Sequence, residues 1–153
     1  MDAIDRKILA ALQEDGRLTV TELAAHVGLS VSPCHRRLRA LERSKVIRGY
    51  RAIVAPEAVG LPFQALVFVT MLQEDRDTLL GFEDAVARIP QVVQAQRLFG
   101  DPDYLLRVLT ADLAAYQRLE DDHLATLPGI QRLTSTLVMK SIVDGRPVLG
   151  PAG

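Results

Sequence analysis

Apolar residues recur at Ile4, Ile8, Ala11 and Leu12, the spacing of a helix with one buried face, before Asp15-Gly16 interrupts the run. Asp2 precedes this run as a capping residue. Thr19-Val20-Thr21-Glu22 then has the form of a capping box, in which the Thr19 hydroxyl serves the backbone of Glu22 while the Glu22 carboxylate reaches back. Leu23, Ala24 and Val27 supply the buried stripe of this second helix, and Gly28 ends it. Ser30 follows as the cap of a third helix, with Pro33 tolerated in the first turn, where a missing N–H costs no internal bond. Beyond that helix, Val46 to Val54 reads as a small wing or strand. Pro56, Gly60 and Pro62 mark a boundary, which divides the chain into domains of residues 1–60 and 61–153.

In the second half the period changes. Phe63 to Leu72 is dense in Leu, Val and Phe, as a buried strand requires, and Leu79, Phe82, Val86 and Ile89 restore helical spacing over Thr78 to Ile89. Val92 to Phe99 and Tyr104 to Leu109 read as two strands around the turn sequence Gly100-Asp101-Pro102-Asp103. Asp112 caps a helix through Leu113, Tyr116, Leu119 and Leu127, and Gln131 to Val143 gives a last strand. The order β-α-β-β-α-β predicts an α+β protein whose second domain is ferredoxin-like.

The third helix carries two faces. Cys34, Leu38 and Leu41 share an apolar stripe, while Ser32, Arg36, Arg39 and Arg43 share the opposite side with His35 at its edge. A short helix, a tight turn and a basic second helix match the motif that places its second helix in the DNA major groove. A helical hairpin with a salt-bridged exterior fits the same pattern.

Charge sharpens this picture only when it is divided along the chain. The net charge is −1, yet residues 1–60 hold ten Lys/Arg against seven Asp/Glu, and residues 61–153 hold eight against twelve. Residues 34–51 hold seven basic residues against Glu42 alone. Such a block attracts a phosphate backbone and releases its counterions, although basic runs also occur on plainly solvated helix faces. Arg36 and Arg39, with Ser32 and His35, are the candidates to read base edges, since a guanidinium matches the two acceptors of guanine. Arg43, Lys45, Arg48 and Arg51 are the candidates for phosphates.

Other chemistry is poorly supported. The single cysteine, Cys34, makes no internal disulfide and reads as a packed thiol, and no His/Cys/Asp/Glu spacing suggests a metal site or a catalytic triad. An enzyme using Asp101, Asp103 or His123 is the rival reading, but Asp101-Pro102-Asp103 is ordinary turn chemistry. No apolar run approaches the roughly 20 residues of a membrane-spanning helix, and the start lacks the features of an export signal, so a cytoplasmic protein without a membrane partner is expected.

Taken together, the segments resemble the Lrp/AsnC, or feast/famine, family of transcription regulators. The resemblance rests on Ile4-Asp5-Arg6-Lys7-Ile8-Leu9, Gly28-Leu29-Ser30-Val31-Ser32-Pro33-Cys34, Arg37-Leu38-Arg39-Ala40-Leu41-Glu42, Ile47-Arg48-Gly49-Tyr50 and Gly100-Asp101-Pro102-Asp103-Tyr104-Leu105-Leu106, in that order. It implies a winged helix-turn-helix joined to a βαββαβ effector domain. It also implies double-stranded DNA as partner, a homodimer that assembles further, often to an octamer, and control by an amino acid or related metabolite with no other cofactor. In the family, the turn matching Gly100, Asp101, Asp103 and Tyr104 and the last strand near Thr134 and Thr136 border the effector pocket between subunits. Asp103 suits the ammonium of an amino acid, and alternation puts Thr134 and Thr136 on one face and Ser135 on the other. Asp103 simply closing its turn, beside threonines on a solvated sheet face, is the alternative. Pro102 stands where relatives often have an aromatic residue, and the tail from Gly145 to Pro151 has no assigned role.

Overall fold

A computed structural model of the chain describes residues 1–149; Gly150 and Pro151 of the tail lie outside the described residues. Backbone contacts divide the chain into two units. One is Met1–Ile53 with the segment that begins at Ile142, and the other is Val54–Ser141.

The first unit is built from helices α1 (Ala3–Glu14), α2 (Val20–Val27) and α3 (Val31–Arg43). The expected capping box of Thr19 with Glu22 forms at the start of α2, and Asp2, expected as a simple cap of α1, forms a second box with Asp5. Ser30 stands at the cap position of α3 but makes no side-chain cap bond. Between α2 and α3 the chain turns on Gly28, whose φ of 71° lies in the left-handed region that costs a residue with a Cβ about 1–2 kcal/mol. The core is Ile8, Leu23, Ala24, Val27, Cys34 and Leu41, with Leu38 and Ile47 packed against it. Small Ala24, 2% exposed, lets the helices approach closely. The apolar stripe of α3 is therefore buried, as its spacing predicts.

Residues 46–54, expected as a wing or strand, form no strand. Ile47 is held by its N–H to the Leu41 carbonyl at 3.1 Å, and among the described residues no neighbouring strand offers the segment a ladder, so it stays irregular. Within the same unit the described tail returns to α1: the Val148 N–H donates to Gln13 Oε1 at 2.8 Å. Val148 and Leu149 line an open groove of about 760 Å³ with Leu9, Leu12, Ile47 and Tyr50.

After a 3₁₀ turn at Pro56–Val59, the second unit runs β1 (Phe63–Met71), α4 (Arg76–Val86), β2 (Val92–Arg97), β3 (Tyr104–Thr110), α5 (Leu113–Leu119), a wide turn at Glu120–Leu124, and β4 (Ile130–Leu137). The sheet order is β2-β3-β1-β4 with every pair antiparallel, the ferredoxin-like arrangement. Asp75 and Asp112 cap α4 and α5 by accepting the N–H groups of Thr78 and Ala115. Leu79, Phe82 and Val86 of α4 and Tyr116 and Leu119 of α5 bury one sheet face through Val67, Val69, Tyr104, Leu106 and Val108. The ring centroids of Phe82 and Tyr104 lie 4.6 Å apart.

Two strand ends depart most from the sequence reading. Strand β4 stops at Leu137 rather than Val143, because its neighbour β1 begins at Phe63: the last pair is Ala65 with Leu137, and the Val138 N–H closes the ladder on the Gln64 carbonyl at 3.0 Å. Strand β2 ends at Arg97, so Leu98 and Phe99 belong to the turn, where the Leu98 N–H meets the Asp103 carbonyl at 2.7 Å.

Candidate functional site

The α3 helix is fixed from beneath by Cys34 and Leu41, 0% and 6% exposed, and this anchoring decides which side chains face outward. Burial pushes the Cys34 thiol above its ordinary range, as expected for a packing residue rather than a nucleophile. Ser32, His35, Arg36, Arg39 and Arg43 are all exposed, and on a helix advancing about 100° per residue they share one side. Lys45, Arg48 and Arg51 follow α3 in the turn and the irregular segment and are exposed too. Among the described residues, the side chains of Arg36, Arg43, Lys45, Arg48 and Arg51 make no ion pair.

Arg39 is engaged differently. Its Nη1 donates to Glu42 Oε2 at 3.1 Å and its Nε lies 3.3 Å from His35 Nε2. The other Glu42 oxygen accepts the Tyr50 hydroxyl at 3.2 Å. Arg39 is therefore held along its own helix. Arg37, inside the same basic run, points elsewhere: its Nη1 meets Asp2 Oδ2 at 2.7 Å and Asp5 Oδ1 at 2.9 Å. Counting charges along the chain does not separate Arg37 from Arg36. The difference lies in the third dimension.

The second candidate group lies on the sheet. Gly100 and Asp101 are exposed on the β2–β3 turn, and a Cβ built on Gly100 would meet nothing within 4 Å. The half-buried Asp103 gives its N–H to the Val69 carbonyl at 2.9 Å, and its Oδ2 accepts the Met71 N–H at 2.6 Å. The turn is thereby fastened to the end of β1, and among the described residues Asp103 Oδ1 has no such bond.

Thr134 and Thr136 are exposed and pair with Phe68 and Leu66, so they lie on the sheet face opposite α4 and α5. Ser135 pairs with the buried Val67 and its hydroxyl meets that of Tyr116 on the helix side. The expected division of the three hydroxyls thus appears in the fold. Tyr104 does not join the group. It is 2% exposed on the helix side, with its hydroxyl donating to Glu83 Oε1 at 2.8 Å. Burial first, and then that bond to a carboxylate, push its phenol up to about 12.

What links the turn to β4 is a pair of residues that sequence reasoning passed over. Arg132 Nη2 donates to Thr70 Oγ1 at 3.4 Å and lies 3.7 Å from Asp101 Oδ1, while Thr70 Oγ1 itself donates to Asp101 Oδ1 at 3.3 Å. Strand alternation offered a signal, because Arg132 stands two residues before Thr134 on the same face. The resulting surface joins Asp101, Thr70 and Arg132 and continues along β4 through Thr134 and Thr136. Both signs of charge are present on that surface, in Arg132 and Asp101. Among the described residues no cluster of His, Cys, Asp or Glu is arranged to hold a metal ion, and no helix is long and apolar enough to cross a membrane.

Comparison with known proteins gives a match for each half of the chain. Residues 1–42 match the AsnC-type helix-turn-helix domain, and residues 64–148 match the Lrp/AsnC ligand binding domain. The chain is 40% identical over 143 residues to the Bkd operon transcriptional regulator of Pseudomonas aeruginosa, covering 94% of each. It is 36% identical to the leucine-responsive regulatory protein of Haemophilus influenzae, covering 93% of this chain and 86% of that one. Among solved structures it resembles a transcriptional regulator of Neisseria meningitidis in complex with L-Met. The TM-score is 0.90 at 38% identity, over 99% of this chain and 96% of that one.

Proposed function

From the membership of this chain in the Lrp/AsnC family, which makes it a DNA-binding transcription regulator modulated by an amino acid and not an enzyme, we propose how its surfaces divide the work. Residues 1–60 bind DNA and residues 61–153 bind the effector and assemble subunits. The observation that carries the first half is the exposed face of α3, where Arg36 and Arg39 stand one turn apart over a buried stripe. These two, with Ser32 and His35, read base edges in the major groove, and Arg43, Lys45, Arg48 and Arg51 contact phosphates.

A homodimer sets two copies of α3 in successive grooves about 34 Å apart on a pseudo-palindromic site. The sheet face opposite the helices supports self-association, since Leu66, Phe68 and Leu105 lie half-buried there with no layer of this unit over them. Larger assemblies such as an octamer stack such dimers, and the protein acts in the cytoplasm with the chromosome.

The amino acid sits against Gly100, Asp101 and Asp103 with its ammonium at a carboxylate, and Thr134 and Thr136 donate to its carboxylate. Tyr104 contributes by fixing the base of the turn from the helix side. Binding there alters DNA occupancy through unequal affinity for two assembly states. Genome-wide mapping of bound sites, followed by titration of a mapped site against random duplex with and without amino acids, tests the reading. A protein that binds all duplexes alike, with no response to any amino acid, overturns it.

A further inference from the structure

The arginine in the middle of the basic run is bonded to the start of a different helix. Arg37 lies about 100° around α3 from Arg36, on the flank between the exposed face and the buried stripe. Its Nη1 sits 2.7 Å from Asp2 Oδ2 and 2.9 Å from Asp5 Oδ1. Each of those carboxylates has a second task. Asp2 Oδ1 accepts the Asp5 N–H at 2.9 Å, and Asp5 Oδ2 accepts the Asp2 N–H at 3.1 Å, which is the capping box of α1. All four carboxylate oxygens are used, two to begin α1 and two to hold Arg37. The Asp5 side chain is only 16% exposed, so the pair is partly withdrawn from solvent.

We propose that Arg37 is a positioning residue for DNA recognition: with Asp2 and Asp5 it locks the axial rotation of α3, and so the direction of Arg36 and Arg39, without itself touching DNA. The inference rests on the assignment of α3 as the reading helix. Geometry gives it force. With side chains a helix has a radius of about 5–6 Å, so a roll of about 10° displaces an arginine tip by about 1 Å, beyond the tolerance of a bidentate bond to a base. Cys34 and Leu41 fix the depth of α3, but an apolar contact is not directional and resists such a roll weakly. Two charge-assisted bonds to a capped helix end are directional.

The sign of the charge separates this role from direct contact with DNA. Asp5→Asn removes a negative charge from the DNA-binding unit, which by electrostatics alone strengthens binding to every duplex. The positioning role requires the opposite for the specific site. The experiment measures affinity of the full-length protein for a mapped site and for random duplex at several salt concentrations, for the parent, Asp5→Asn, Arg37→Gln and Arg37→Lys, at a temperature where melting curves show each folded. The expected result is a loss of about five- to tenfold at the specific site for Asp5→Asn and Arg37→Gln. Random-duplex affinity is unchanged or higher for Asp5→Asn, the salt slope of Arg37→Gln equals the parent's, and Arg37→Lys recovers part of the loss.

Specific binding by Asp5→Asn as tight as the parent's overturns the proposal. So does a salt slope lowered by about 0.9 in Arg37→Gln with equal losses on both duplexes, the mark of a phosphate contact. Should Asp5→Asn not fold, Asp2→Asn, which spares the less exposed Asp5 pair, carries the same readout. A parent protein that does not distinguish the two duplexes fails differently, since it removes the reading helix itself and the inference with it.

Discussion

Asp103 Oδ2 accepts the backbone N–H of Met71 at 2.6 Å, so a carboxylate of the proposed effector site also fastens the β2–β3 turn to the end of β1. The two roles separate in Asp103→Asn. The amide oxygen keeps the Met71 bond, so the melting temperature changes little. Losing the charge removes the partner of an ammonium, and a charge-assisted bond is roughly twice as strong as a neutral one. Calorimetric titration with amino acids is expected to show at least about tenfold weaker binding for the effector that moves the parent, with DNA affinity in its absence unchanged. Unaltered effector affinity would take Asp103 out of the site.

The reading face predicts a contrast between neighbouring arginines. Arg36→Ala or Arg39→Ala is expected to cost roughly 1–3 kcal/mol at the specific site and little on random DNA. Arg43→Ala is expected to weaken both alike and to lower the salt slope by about 0.9. Arg39→Ala also frees Glu42, now held at 3.1 Å, to face DNA as an uncompensated anion, so its loss is expected to exceed that of Arg36→Ala. Equal, sequence-independent losses for all three variants would leave no reading face on α3.

Much of this architecture was legible in the chain because its signals are local. The cap at Asp2, the capping box at Thr19, the turn at Gly28 and the alternation over Thr134, Ser135 and Thr136 each follow from a few adjacent residues. The end of β4 was not legible, since it depends on where β1 begins, more than sixty residues earlier. Residues 46–54 have strand-like composition, but a strand also needs a neighbour. Arg37 shows the same limit at the candidate site: its partners lie 35 and 32 positions away, and composition counts it with the arginines that face outward. The family resemblance groups Tyr104 with the effector turn, whereas strand alternation turns its side chain to the helices.

Gly129 tests the packing beneath the candidate effector strand. Its φ is +74°, and a Cβ there would overlap Thr78 Cγ2 and lie 3.0 Å from Met71 Cε. Gly129→Ala combines a left-handed alanine with overpacking and is expected to destabilise the second unit by about 2–4 kcal/mol in urea unfolding. Adding Thr78→Ser removes the overlapping methyl but not the backbone cost. The double variant should therefore recover only the steric part of the loss, and complete recovery would mean that the backbone conformation costs nothing.

The Tyr104–Glu83 pair gives the alkaline limit of the same unit. In the unfolded chain the phenol ionises near 10.0, and in the fold it is raised to about 12 by burial and by donating to Glu83 Oε1. Because the folded value is the higher one, the protonated phenol's contribution to stability is fully present below pH 10.0 and is lost as pH rises through about 12. Tyr50, 51% exposed, lies in the other unit, and its ionisation reports little about this core. Tyr104→Phe keeps the ring against Phe82 but removes both the ionisable group and the Glu83 bond. Ultraviolet titration of the variant is expected to lack the step near 12, and its stability should fall less steeply than the parent's between pH 10 and 12. Glu83→Gln keeps a bond acceptor while removing the charge that opposes tyrosinate, so it should move the Tyr104 step downward without abolishing it. A step that stays in place in Glu83→Gln would remove the Glu83 charge from the causes and leave burial and the retained bond.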